Sequence, residues 1–118
     1  MANAVLVLCD DLIFSSKIMA TARAKGIDAA VARTQDSLIA KLLAAPVGCV
    51  VVDLHNATLN WAKLFPALGD HRPKFVGFGS HVDVETLKAA REAGCDLVMP
   101  RSQFVNRLED DLPKWAMR

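Results

Sequence analysis

Three aspartates stand where two short apolar runs stop. Asp10 and Asp11 follow residues 4–9 (Ala-Val-Leu-Val-Leu-Cys), and Asp53 follows residues 49–52 (Cys-Val-Val-Val). Carboxylates gathered at one place repel one another unless a cation or a reaction uses their charge. A hard divalent cation such as Mg²⁺ takes oxygen ligands and keeps part of its water, so two or three carboxylates suffice to hold it. Beside such an ion, one carboxylate is a nucleophile toward phosphorus. The plainer uses are capping of a helix by Asp10 or Asp11 and an Asx-turn at Asp53. The joint occurrence favours function.

For that chemistry the two runs must lie side by side. Both are continuous and rich in β-branched residues, as strands buried on both faces are. Between and after them the chain alternates. Phe14, Ile18 and Ala22 form a helical stripe in residues 14–25, closed by Gly26. Residues 27–33 read as a second strand, and Thr34 caps a helix to Ala44 with Leu38 and Leu42 on one face. Residues 58–68 form a weaker helix that Pro66 interrupts. Residues 75–79 form a fourth strand whose glycines admit a close neighbour or ligand. Asp83 starts a fourth helix, with Val84, Leu87 and Ala90 inward and Gly94 as its stop. Residues 97–99 make a fifth strand, and Ser102 caps a last helix to about Asp111, before a break at Pro113.

Five strands alternating with five helices predict an α/β, flavodoxin-like (βα)5 fold, a doubly wound parallel sheet in the order 2-1-3-4-5 inside a three-layer sandwich. The ligand crevice of such a sheet lies where strands 1 and 3 diverge, and topology alone puts Asp10, Asp11 and Asp53 there.

The remaining composition works by exclusion. A chain of 118 residues supports one core, so residues 1–118 are expected to be a single domain. With 14 basic and 13 acidic residues the net charge is +1, which argues against nucleic acid as a partner. No apolar stretch approaches the roughly 18 residues of a membrane span, and residues 1–3 lead into the first strand without a basic region. A cytoplasmic protein with no membrane partner is expected. Cys9, Cys49 and Cys95 are odd in number and lack paired spacing, so they read as core residues. The three histidines lack zinc spacing.

Around the acids the chain resembles the receiver domain of two-component response regulators, over nearly its full length. The resemblance rests on Cys9-Asp10-Asp11, on Val51-Val52-Asp53-Leu54, on the interval between them, and on Ala93-Gly94-Cys95-Asp96, similar to the turn before a receiver's fifth strand. It implies Mg²⁺ held weakly by Asp10, Asp11 and Asp53 with the backbone carbonyl of His55. It also implies that Asp53 accepts a phosphoryl group from a histidine kinase or phosphotransfer protein. A downstream protein partner, a homodimer through the fourth helix, fifth strand and last helix, and no enzymatic role complete what the likeness implies.

The departures are specific. Receivers place Thr or Ser at the end of strand 4, where counting back from Gly94 puts Gly79, with Ser80 one residue late. They carry Lys-Pro at the end of strand 5. The ungapped count gives Arg101-Ser102, whereas matching the proline gives Met99-Pro100 and no cation. We take the ungapped match, with Arg101 as the positive charge beside the carboxylates, although its planar fork pairs with oxygen differently from lysine. The aromatic switch position falls on Val98, and Asn56-Ala57 replaces the frequent Met-Pro.

Two functions are therefore expected as alternatives. One is a phosphorelay receiver using Asp53, Ser80 and Arg101. The other is a degenerate pseudo-receiver, never phosphorylated, serving as a constitutive docking or dimerisation module. A flavin carrier on this fold is disfavoured because Asp10-Asp11 would repel the phosphate. A phosphatase would need a second aspartate where His55 stands. His81 reads as solvated, Leu12, Ile13 and Phe14 as core, and Trp115 and Met117 as packing of the last helix.

Overall fold

The computed structural model describes residues 4–117; Met1, Ala2 and Asn3, expected to lead into the first strand, lie outside them. The apolar runs become β1 (Ala4–Leu8) and β3 (Cys49–Asp53), joined in one parallel sheet by β2 (Asp28–Ala32), β4 (Lys74–Gly79) and β5 (Leu97–Pro100). The order is β2-β1-β3-β4-β5, as expected. Every residue of β3 is buried, which is why its run shows no polar alternation.

The helices are α1 (Leu12–Ala24), α2 (Gln35–Ala44), α3 (Trp61–Leu68), α4 (Val84–Ala93) and α5 (Arg101–Ala116). Parallel crossovers are right-handed, and the chain reverses its direction across the sheet after β2. That puts α1 on one face and α2, α3 and α4 on the other, with α5 filling the space beside α1. Alternate residues of the central strands serve the two layers. Val5, Val7, Cys49 and Val51 pack with Ile18 of α1 and Phe104 and Leu108 of α5. Leu6, Leu8, Val50 and Val52 pack with Leu38, Leu64 and Leu87.

Thr34 and Asp83 cap α2 and α4 as expected, accepting the Ser37 and Thr86 amides at 3.2 Å each. The start of α1 is earlier than the stripe suggested. Asp11 accepts the Ile13 and Phe14 amides at 3.0 and 3.1 Å, so the helix opens at Leu12. Its phase then turns Leu12 and Ile13 outward, 62% and 86% exposed, and neither is core. Val84, at the first position of α4, and Met117 are also exposed, against expectation.

The largest departure is α5, which opens at Arg101 without a Ser102 cap and runs through Pro113 to Ala116. A proline inside a helix costs about 3 kcal/mol. Burying an aromatic side chain of roughly 150–250 Å² returns about 4–6 kcal/mol, enough to carry the helix on. Trp115 takes that burial, stacked on Phe104 at 5.9 Å. The helix end also lies on Gly48, where an added Cβ would be 1.9 Å from the Ala116 carbonyl oxygen. Likewise α3 keeps Pro66 but starts at Trp61, because Thr58 Oγ1 is engaged in accepting the Gln35 amide at 2.9 Å. Among the described residues no helix is long and apolar enough to cross a membrane.

Candidate functional site

The register of β1 against β3 pairs Leu8 with Val52, so Cys9 and Asp53 emerge together at the carboxyl edge. Cys9 Sγ lies 3.8 Å from Asp53 Oδ2 and 3.6 Å from the Asp11 carbonyl oxygen. Burial pushes the Cys9 thiol up to about 11, with the neighbouring carboxylates adding to the rise, so it keeps its proton and donates. Asp53 is 6% exposed. Its Oδ1 accepts the His55 amide and its own carbonyl accepts the Asn56 amide, each at 3.0 Å, which closes an Asx-turn at the end of β3. No cation pairs with Asp53 among the described residues. A buried carboxylate thus rests on one amide and one thiol.

Asp10 and Asp11 share the same edge but stand in solvent. Asp11 is committed to the start of α1 through the two amides it accepts. The donor types suit a hard divalent cation, being carboxylate oxygens with the His55 carbonyl nearby in sequence. They are not drawn into one coordination sphere: among the described residues no group of three His, Cys, Asp or Glu side chains is placed to hold a metal ion.

The two expected charge-neutralising donors do not meet Asp53. Ser80 Oγ accepts the Val82 amide at 3.4 Å, within its own loop. The guanidinium of Arg101 lies 5.2 Å from the centre of the Phe14 ring and 5.8 Å from that of Phe78, with no carboxylate partner among the described residues. Arg101, expected as a positive charge beside the acids, thus forms no ion pair with them among the described residues. The cause is local: Pro100 ends β5 opposite Gly79, and Arg101 is already the first residue of α5, on the side where the Phe14 and Phe78 rings meet, tilted, with centroids 4.5 Å apart. Met99, the other candidate at that position, is buried in the core. Val98 is half-buried on the opposite layer. His81 is exposed, and all three cysteines are buried and free.

One residue acquires a side-chain role that the sequence did not suggest. His55 Nε2 accepts the Ser80 amide at 3.0 Å, and Nδ1 lies 3.8 Å from Asp83 Oδ2. Gly79 eases the approach, since a Cβ there would crowd Nε2 at 3.2 Å. The Asp83 carboxyl is held below its ordinary range, chiefly by hydrogen bonds from the Thr86 hydroxyl and amide and last by His55. The available signal was a glycine ending β4 across from a histidine two residues past Asp53.

The fold has counterparts among solved structures. The chain is similar to a CheY-like response regulator receiver domain protein from Methanospirillum hungatei JF-1, at 14% identity and TM-score 0.75, over 98% of this chain and 97% of that one. It is similar to the signal receiver domain of a response regulator from Bermanella marisrubri, at 19% identity and TM-score 0.75, over 93% and 98%. A response regulator protein from Burkholderia pseudomallei, with a phosphorylated aspartic acid, calcium ion and citrate, matches at 16% identity and TM-score 0.72, over 94% of this chain and 69% of that one. No protein-family model and no curated protein sequence matches the chain. The chain has the flavodoxin-like fold of response regulator receiver domains, at identities that carry the fold and not the chemistry.

Proposed function

We propose that the chain is a receiver-type signalling domain that acts through protein–protein contacts, with Asp53 as its phosphoacceptor. The Asp53 carboxylate carries this reading. Among the described residues it is buried at the sheet's switch point without a cation, and Oδ2 has only a thiol for a partner. Such a placement is costly for a residue with a purely structural task. The phosphorylated aspartic acid in the Burkholderia pseudomallei structure belongs to a protein of the same fold and lends support.

Mg²⁺, when bound, neutralises charge on a transferred phosphoryl group. Asp10, Asp11 and Asp53, with the His55 carbonyl, are the groups that would hold it. Asp11 accepts the Ile13 and Phe14 amides on Oδ1, which leaves Oδ2 for the ion. Asp10 and Asp11 stand in solvent, so binding in this reading is weak. The phosphoryl source in this reading is a histidine kinase or phosphotransfer protein, and the reader is a downstream protein. Leu12 and Ile13 beside Asp11, with Val82 and Val84 at the start of α4, supply exposed apolar area near the crevice for such contacts. Pairing of two copies through α4, β5 and α5 belongs to the same proposal.

A second reading has its own observation. The Ser80 hydroxyl and the Arg101 guanidinium are both engaged away from Asp53, as suits a pseudo-receiver that docks constitutively. Incubation with Mg²⁺ and acetyl phosphate, followed by intact mass measurement, separates the two. Gain of one phosphoryl group in the wild type but not in Asp53→Asn is the expected result. No gain in either protein rejects the phosphoacceptor and leaves the docking module.

A further inference from the structure

We propose that His55 is a positioning residue that couples the Asp53 carboxylate to the N-terminus of α4. The connection has three parts. The His55 amide donates to Asp53 Oδ1 at 3.0 Å, so the position of the carboxylate sets the position of the His55 backbone. The imidazole then reaches from the end of β3 to the loop after β4, where Nε2 accepts the Ser80 amide at 3.0 Å. A backbone N–H only donates, so Nε2 carries the lone pair and the ring proton is on Nδ1. Nδ1 lies 3.8 Å from Asp83 Oδ2, longer than a hydrogen bond but within ion-pair distance. Asp83 is the cap of α4, accepting the Thr86 amide on Oδ1 at 3.2 Å and the Thr86 hydroxyl on Oδ2 at 2.7 Å.

One side chain therefore touches both the loop after β4 and the cap of α4, while its own backbone is fastened to Asp53. Neither of the residues at the expected switch positions makes such a bridge. Ser80 Oγ is engaged within its own loop, and Val98 is an aliphatic side chain packed in the α2–α4 layer. The sheet offers a competing route, because Asp53 pairs with Phe78 and the Leu54 amide donates to the Phe78 carbonyl at 3.0 Å. That route moves β4 and reaches Asp83 through the backbone, where the Asp83 amide donates to the Ser80 carbonyl at 3.1 Å, and not through the Asp83 carboxyl that the imidazole approaches. The difference makes the two routes separable. Use of this link in signalling rests on Asp53 being the modified group; the mechanical link does not.

The test is a set of amide NMR spectra of the full chain without metal or phosphodonor. The proteins are wild type, Asp53→Ala, His55→Ala and the double variant. Asp53→Ala is expected to shift the amide signals of Ser80, Asp83 and Thr86 in the wild-type background. In the His55→Ala background the Asp83 and Thr86 shifts are lost, while that of Phe78 persists. His55→Gln, whose side-chain carbonyl can accept from the Ser80 amide, restores them. Equal shifts at Asp83 and Thr86 in both backgrounds overturn the proposal, as does their absence in the wild-type background or failure of rescue by glutamine. Should Asp53→Ala not fold, hydrogen exchange of His55→Ala decides alone. Ser80 amide exchange is expected to rise about tenfold with that of Phe75 unchanged, and unchanged Ser80 exchange overturns the proposal. Because no phosphoryl chemistry is involved, failure of phosphorylation at Asp53 leaves this outcome standing.

Discussion

Replacing Asp53 with asparagine removes one charge and keeps nearly the same shape, so the sign of the stability change reports what the carboxylate is for. Two effects oppose each other. The hydrogen bond from the His55 amide to Oδ1 survives but becomes neutral, which forfeits about 1 kcal/mol. Against that, a carboxylate 6% exposed and without a cation among the described residues loses its desolvation penalty and its repulsion by Asp10 and Asp11. We set that relief at about 2 kcal/mol, the low end for a group at a crevice that water still reaches. Asp53→Asn should therefore raise stability by about 1 kcal/mol. For a domain of this size that is roughly 4 °C in Tm, or about 0.5 M in the urea midpoint at pH 7 without metal. Asp53→Ala, which also removes the acceptor of the His55 amide, should show less gain or a loss. A fall of about 0.5 M in the midpoint of Asp53→Asn would refute the reasoning, because it would make Asp53 a structural acceptor whose charge the fold needs.

Asp11→Ala should lower stability by about 1 kcal/mol through loss of the α1 cap, while Asp10→Ala stays within about 0.5 kcal/mol; equal urea midpoints for the two variants would contradict the capping geometry. Mg²⁺ should bind saturably only in the millimolar range, moving amide signals around Asp53, and an unaltered response in Asp11→Asn would remove Asp11 from the ligand set. Arg101→Ala should cost about 1 kcal/mol through the lost stacking on Phe14 and Phe78 and leave any phosphoryl incorporation at its wild-type rate; slowed incorporation at unchanged stability would return Arg101 to the site. Burial raises the Cys9 thiol from 9.0 to about 11 and the Cys49 and Cys95 thiols to about 12, so folding favours their protonated forms. Their contribution to stability is whole below the unfolded value and is lost as pH climbs through it toward 11 and 12; native protein that alkylates at pH 8 as fast as denatured protein would disprove the burial.

Much of the fold was legible because its signals are local and agree with one another. The β-branched runs at 4–9 and 49–52 have no polar alternation, so they must be covered on both faces, and only helices on both sides of a parallel sheet do that. Thr34 and Asp83 announce their helices by side-chain type alone. Illegible parts were those where a distant contact outweighs a local rule. Pro113 reads as a helix end, yet Trp115 gains more from reaching Phe104 than the proline takes away. Leu12 and Ile13 read as core by composition, but Asp11 sets the phase of α1 and turns them outward.

The site divides along a similar line, between residues whose direction the sheet dictates and residues just beyond it. Asp53 is the last residue of β3, and its neighbours Val52 and Leu54 are both buried. Pairing of Val52 with Leu8 and of Asp53 with Phe78 leaves the Asp53 side chain little choice of direction, so its type and position in the sequence were enough to place it. Ser80 lies one residue past β4, and Arg101 one residue past β5. There the direction of a side chain follows from how the next turn or helix begins, not from the ladder. A serine hydroxyl that serves its own loop and an arginine at the first position of α5 are products of those beginnings. His55 shows the converse. It also lies in a loop, but the Asx-turn on Asp53 fixes its backbone and the missing Cβ of Gly79 gives its ring a path to Ser80. A residue outside the sheet thus becomes as constrained as one inside it, through a glycine that admits a close neighbour and a carboxylate that closes the turn.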